Sequence, residues 1–153
     1  MDWFVRSFLK ASLVWFSSAV LLAVAMALEP ALLRYRTAHL HMALLGFVTQ
    51  MIYGVALHVI PRFFGQPLVH RRLAEVQFFA AQVGLAALAL GFVLRAHAFA
   101  AAPALLAVGG LTSAVAAGCF VLNVWRTIDA SPMSAVHARG GRPLETLPQA
   151  DAH

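Results

Sequence analysis

The sequence predicts an all-α integral membrane protein, a bundle of four membrane-spanning helices. Of its 153 residues 61% are hydrophobic and only 11% charged, where soluble domains carry roughly half and about a quarter. The mean hydropathy is +0.80, and a chain of this size has too little interior to hide that much apolar surface from water. The apolar residues also fall into four runs of about 20, the length that crosses the hydrocarbon of a bilayer. These observations exclude an ordinary cytosolic enzyme, a disordered chain and a soluble nucleic-acid binder. The net charge of +5 does not point to nucleic acid either, because the basic residues are scattered between apolar runs rather than gathered into a phosphate-binding stripe.

Taken in order, the spans are predicted at residues 10–28, 39–60, 73–94 and 103–125. Each is bounded by charge or proline: Glu29-Pro30, Pro61-Arg62, Arg95 and Arg126. The first, with Ala25-Met26-Ala27 near its end, also has the outline of a secretory signal; we read it as the first span. Residues 1–128 then form one membrane domain. Residues 129–153, with prolines, glycines and charges but no periodicity, read as a flexible cytoplasmic tail. We find no internal repeat. The one cysteine, Cys119, allows neither an intrachain disulfide nor a C-x-x-C-H haem attachment.

Basic residues orient the spans. With both termini in the cytoplasm, Arg6, Lys10, Arg62, Arg71, Arg72, Arg126, Arg139 and Arg142 lie inside, and Arg34, Arg36 and Arg95 outside. The expected location is a bacterial-type inner membrane, crossed several times, with the His39 end of the second span outward.

The second span carries the candidate chemistry. It opens with His39-Leu40-His41 and continues through Gly46, Thr49, Gln50, Tyr53, Gly54 and His58. Ionisable side chains in a span are costly and usually have a partner or a function, although a single histidine at a boundary is often only interfacial. Helical residues turn about 100° each, so His39 and His41 point to nearly opposite sides and cannot be the two axial ligands of one metal. Either one binds while the other is structural, or each binds on its own side. Ala43, Gly46, Gln50 and Gly54 make a stripe along which a porphyrin or another helix backbone can approach; on that stripe alone helix packing is the plainer reading. Arg34 and Arg36, with Tyr35, are placed either to pair with carboxylates or to anchor the interface.

Other residues carry less. His58 lies 17 residues beyond His41, about 25 Å along a helix, too far to share a metal with it. His70 reads as part of a solvated loop, and Glu75 and Gln77 as contacts for loop polar groups. His97 is an alternative intrachain partner for His39 or His41. His137 and His153 fall in the tail. Gly110, Ala114 and Gly118 form a small-residue face of the packing type.

Residues 37–79, TAHLHMALLGFVTQMIYGVALHVIPRFFGQPLVHRRLAEVQFF, resemble the second and third helices of catalytic subunit I in the haem–copper oxidase superfamily. The likeness is closest to a small stand-alone relative from the nitric oxide reductase and C-type oxidase branch. The H-x-H followed by L-L-G-F, then G-V-A-L-H-V-I-P-R-F and Q-F-F, carry the match, and Leu122-Asn123-Val124-Trp125-Arg126-Thr127 has the same look. The resemblance implies a haem iron ligand at His41 or His39. It also implies that this chain corresponds to one four-helix arc of the larger fold, which has about twelve helices in three arcs. The family's copper cluster has no counterpart here, so haem b and no copper is the expected cofactor set.

The expected function is therefore a membrane b-type cytochrome for electron transfer, with haem held by His39 of one subunit and His41 of a neighbour. The expected assembly is a homo-oligomer in the bilayer, a trimer rather than a dimer, with an unidentified redox partner and no nucleic acid. Arg34 and Arg36 would meet the propionates, and Gly46 and Gln50 would lie along the porphyrin. The alternatives are a gas-handling haem protein for NO or O2, a sensor or reductase relative, and a haem-free accessory subunit of a larger oxidase.

Overall fold

The computed structural model describes residues 2–130. From residue 131 onward the expected tail lies outside the described residues. Within them the chain is all-helical, and its four long helices are each apolar enough to cross a membrane. They are α1 (Trp3–Leu28), α2 (Pro30–Phe63), α3 (Arg71–Ala96) and α4 (Ala102–Asp129). In lipid every backbone N–H and C=O must be satisfied within the protein, which is why apolar runs of this length become helices.

The helices outreach the predicted spans at nearly every end, and most at the start of α2. Pro30 opens that helix rather than preceding it, with Glu29 accepting a hydrogen bond from the Ala31 N–H at 3.1 Å. Proline suits a first turn because its missing N–H has no intrahelical partner there. The α2 helix is also not uniform. A 3-10 stretch (Pro30–Tyr35) and a short α-helical stretch (Arg36–His41) lead into a π-helical segment (Met42–Thr49), after which α geometry resumes at Gln50–Phe63. Pro61 was predicted to close the span but lies inside the last turns of α2.

The helices pack in chain order: α1 lies along α2, α2 meets α3, and α3 and α4 share the longest contact. Among the described residues α1 and α4 have no substantial contact, while α1 also touches α3 and α2 also touches α4, so α2 and α3 form the centre with α1 and α4 on either side of them. The half of the bundle opposite His39 and His41 is held by an aromatic cluster. Phe8 meets Tyr53 and Phe78 edge-on at 5.6 and 5.1 Å, and Tyr53 lies 4.7 Å from Phe120. Along α3 and α4, glycines let the backbones approach. A Cβ on Gly109 would stand 2.7 Å from the Leu88 amide nitrogen, and one on Gly84 2.7 Å from that of Ser113. Gly110 and Gly118 meet nothing within 4 Å. The packing face of α4 therefore runs through Gly109, one residue away from the small-residue face read from the sequence.

Candidate functional site

Near the N-terminal end of α2 the backbone fixes both histidines in the same way. His39 Nδ1 is 3.0 Å from the carbonyl oxygen of Ala19 on α1, and His41 Nδ1 is 2.9 Å from that of Thr37, one turn back. A carbonyl only accepts, so each Nδ1 carries the proton. In the neutral ring Nε2 is then the unprotonated nitrogen, the form that ligates a metal. This is the outer support that ligating histidines commonly have, a fixed tautomer and ring orientation. The two rings diverge as the spacing requires: His39 is fastened to α1, whereas His41 stacks on Phe92 of α3, centroids 4.5 Å apart and tilted by 40°.

A cleft of about 320 Å³ lies against Phe92, lined by Arg34, Thr37, Phe92, Arg95 and Ala96. It brings Arg34 to His41's side of the helix together with Arg95, a residue that sequence reasoning noted only as the end of a span. Arg36 is exposed and does not line the cleft. The Arg34 guanidinium carbon also lies 5.3 Å from the Tyr35 ring centroid, within cation–π range. Arg34 and Arg95 give this end of the molecule concentrated positive charge beside an aromatic wall, which suits a flat ligand with carboxylates at its edge.

Gly46 and Gln50 sit elsewhere. A Cβ at Gly46 would stand 2.7 Å from Trp15 Cβ and 2.9 Å from Leu85 Cδ2, and Gly54 is packed against Phe8 and Leu9. The stripe expected to accept a porphyrin is thus filled by α1 and α3 of the same chain. Gln50 is buried in a polar relay that joins three helices. Trp15 Nε1 donates to Gln82 Oε1 at 3.1 Å, and Gln82 Nε2 donates to Gln50 Oε1 at 2.6 Å. Gln82 escaped sequence reasoning, because a single glutamine in an apolar run shows nothing of a partner 32 residues away.

The other histidines are engaged otherwise. His97 Nε2 and the Tyr35 hydroxyl share a 2.6 Å hydrogen bond, which occupies that ring nitrogen. His58 Nδ1 accepts from Arg62 at 2.8 Å, so its proton pattern is the reverse of that of His39 and His41. His70 is exposed as expected, but its backbone N–H and C=O are both bonded to the buried Asn123 side chain. Glu75 accepts from Trp3 Nε1 at 3.3 Å. Gln77, expected to reach loop groups, is instead fully buried, and neither of its amide atoms has a hydrogen-bond partner among the described residues.

No three His, Cys, Asp or Glu side chains gather as a metal-binding group among the described residues. The described residues therefore offer an ion at most paired or single ligands. Haem asks for no more, because the porphyrin supplies four of the donors and the protein only the axial ones. Comparison with protein-family models and with curated proteins gives no match for this chain, so its chemistry is argued from the geometry of this site.

Proposed function

We propose that the chain is a membrane b-type haem protein that carries electrons, with iron held between His41 of one copy and His39 of a neighbour. The observation that carries this reading is the matched pair of Nδ1-to-carbonyl hydrogen bonds. They leave two Nε2 lone pairs, on opposite sides of one helix, at the same membrane depth. A single histidine so fixed is common; two of them, two residues apart and facing different ways, suit a ligand shared between copies.

Bound haem b, held by His39 and His41, would supply one-electron redox chemistry. The protein's part is to bind and orient. The Thr37 carbonyl and the Phe92 ring fix the His41 imidazole, and the Ala19 carbonyl fixes that of His39. Arg34 and Arg95 are the residues suited to hold carboxylates at the outer surface. The exposed apolar faces of α1 and α4, each only 11% buried over the span, are available to lipid or to further copies, in keeping with a homo-oligomer.

Three readings of the purified protein are distinguished by its visible spectrum. The proposal predicts a six-coordinate low-spin haem whose reduced form ignores CO. A reduced form that takes up CO or NO at once supports the gas-handling alternative instead. Colourless protein, after expression with ample haem, would mean an accessory subunit and ends the proposal.

A further inference from the structure

Between α2, α3 and α4, starting one turn past His41 at Leu45, lies a partly open cavity of about 30 Å³. It is lined by Leu45, Thr49, Gln50, Tyr53, Ser113 and neighbouring apolar groups. Its polar lining comes from two helices: Thr49, Gln50 and Tyr53 from α2, and Ser113 from α4. Gln50 is 1% exposed, and its Nε2 has no hydrogen-bond partner among the described residues, its Oε1 being used by Gln82. A buried amide left so costs about 1–3 kcal/mol, which a protein avoids by supplying an acceptor.

We infer that this cavity is a binding site for an internal water molecule that accepts from Gln50 Nε2. The size agrees, since one water needs at least about 10–15 Å³ of such space and two to four polar partners. The chemistry agrees as well. Gln50 offers a donor, and the hydroxyls of Thr49, Tyr53 and Ser113 both donate and accept. The surrounding Leu45, Ala81, Leu85 and Ala116 side chains offer no competing polar group. The water extends the Trp15–Gln82–Gln50 relay to α4, so that a polar chain spans all four helices. The site does not rest on the haem proposal, because none of its lining residues is a candidate iron ligand and Gln50, expected along the porphyrin, is instead enclosed within the bundle.

X-ray radiolytic footprinting of the full-length protein in detergent tests this, since radicals formed on bound water label the side chains beside it. Tyr53 should be labelled well above Phe8, 0% exposed and packed against it, and the readout is how far the Tyr53 rate, referred to Phe8, falls when the site is filled or loses its donor. Thr49→Leu, which fills the cavity, and Gln50→Met, which removes the donor, should each bring Tyr53 down towards the Phe8 rate. Either variant serves if the other fails to fold, as judged by a monodisperse elution profile. Equal rates for Tyr53 and Phe8 in the wild type, or a Tyr53 rate unchanged in a folded variant, would overturn the inference.

Discussion

At the scale of single residues, the two histidines of the H-x-H share an Nδ1 arrangement that is the reverse of that of His58. His39 and His41 each give the Nδ1 proton to a backbone carbonyl, while His58 accepts there from Arg62 and His97 is occupied by Tyr35. His39→Ala and His41→Ala should therefore each abolish the six-coordinate low-spin spectrum, while His58→Ala and His97→Ala leave it intact. Loss of the spectrum in the His97 variant, with the His39 variant unaffected, would transfer the ligand role. The arginines separate in the same way. Replacing Arg34 and Arg95 together should ease haem loss without preventing membrane insertion, since each charge-assisted pair lost costs about 1.5–3 kcal/mol. Arg36→Ala, outside the cleft, should change haem retention little, and apo-myoglobin competition for released haem measures both.

At the scale of the helix, the glycines of α4 give a one-residue test of packing. Gly109→Ala pushes a Cβ to within 2.7 Å of the Leu88 backbone nitrogen. Overpacking of this kind costs about 1–3 kcal/mol, to be seen as a lowered thermal unfolding midpoint in detergent. Gly110→Ala meets nothing within 4 Å inside the chain and should leave that midpoint nearly unchanged; equal losses at the two positions would contradict the packing register.

The π-helical segment gives a second test. It lies directly after His41 and contains Leu44, which is exposed. A π turn holds about one residue more than an α turn, so deleting Leu44 should let α geometry run through while the flanks keep nearly the same register, the histidines holding their direction relative to Gln50. The spectrum and the helical circular dichroism should both be kept; loss of the spectrum with the helix intact would mean that the wide turn itself sets the histidines' direction.

These cases mark what was legible in the sequence. Four apolar helices were, because hydropathy over 20 residues reports directly on the transfer of a span into lipid. The divergence of His39 and His41 was too, since both fall in a short stretch with ordinary α geometry. The π segment was not: in an all-apolar run, polar and apolar faces do not alternate, so no period betrays a change in residues per turn. Nor could the sequence choose Gly109 over Gly110, adjacent and chemically identical, until α3 was placed against one of them. The Gly46 and Gln50 stripe showed only that something packs there; that Trp15 and Leu85 fill it is a fact of tertiary contact.

For the whole molecule, a bundle with α1 and α4 on opposite sides, each exposed over most of its span, fits an assembly in which each copy presents one histidine to each neighbour. The measurement that tests this most directly is co-expression of differently tagged His39→Ala and His41→Ala chains, with isolation of the complexes that carry both tags. Either variant alone should lack bis-histidine haem at every site. In a closed trimeric ring a mixed complex contains one place where an intact His39 meets an intact His41. The account therefore predicts recovery of the six-coordinate spectrum at about a third of the wild-type haem content per chain. A strictly monomeric wild-type preparation with a full six-coordinate spectrum, or mixed complexes as devoid of that spectrum as the single variants, would contradict it.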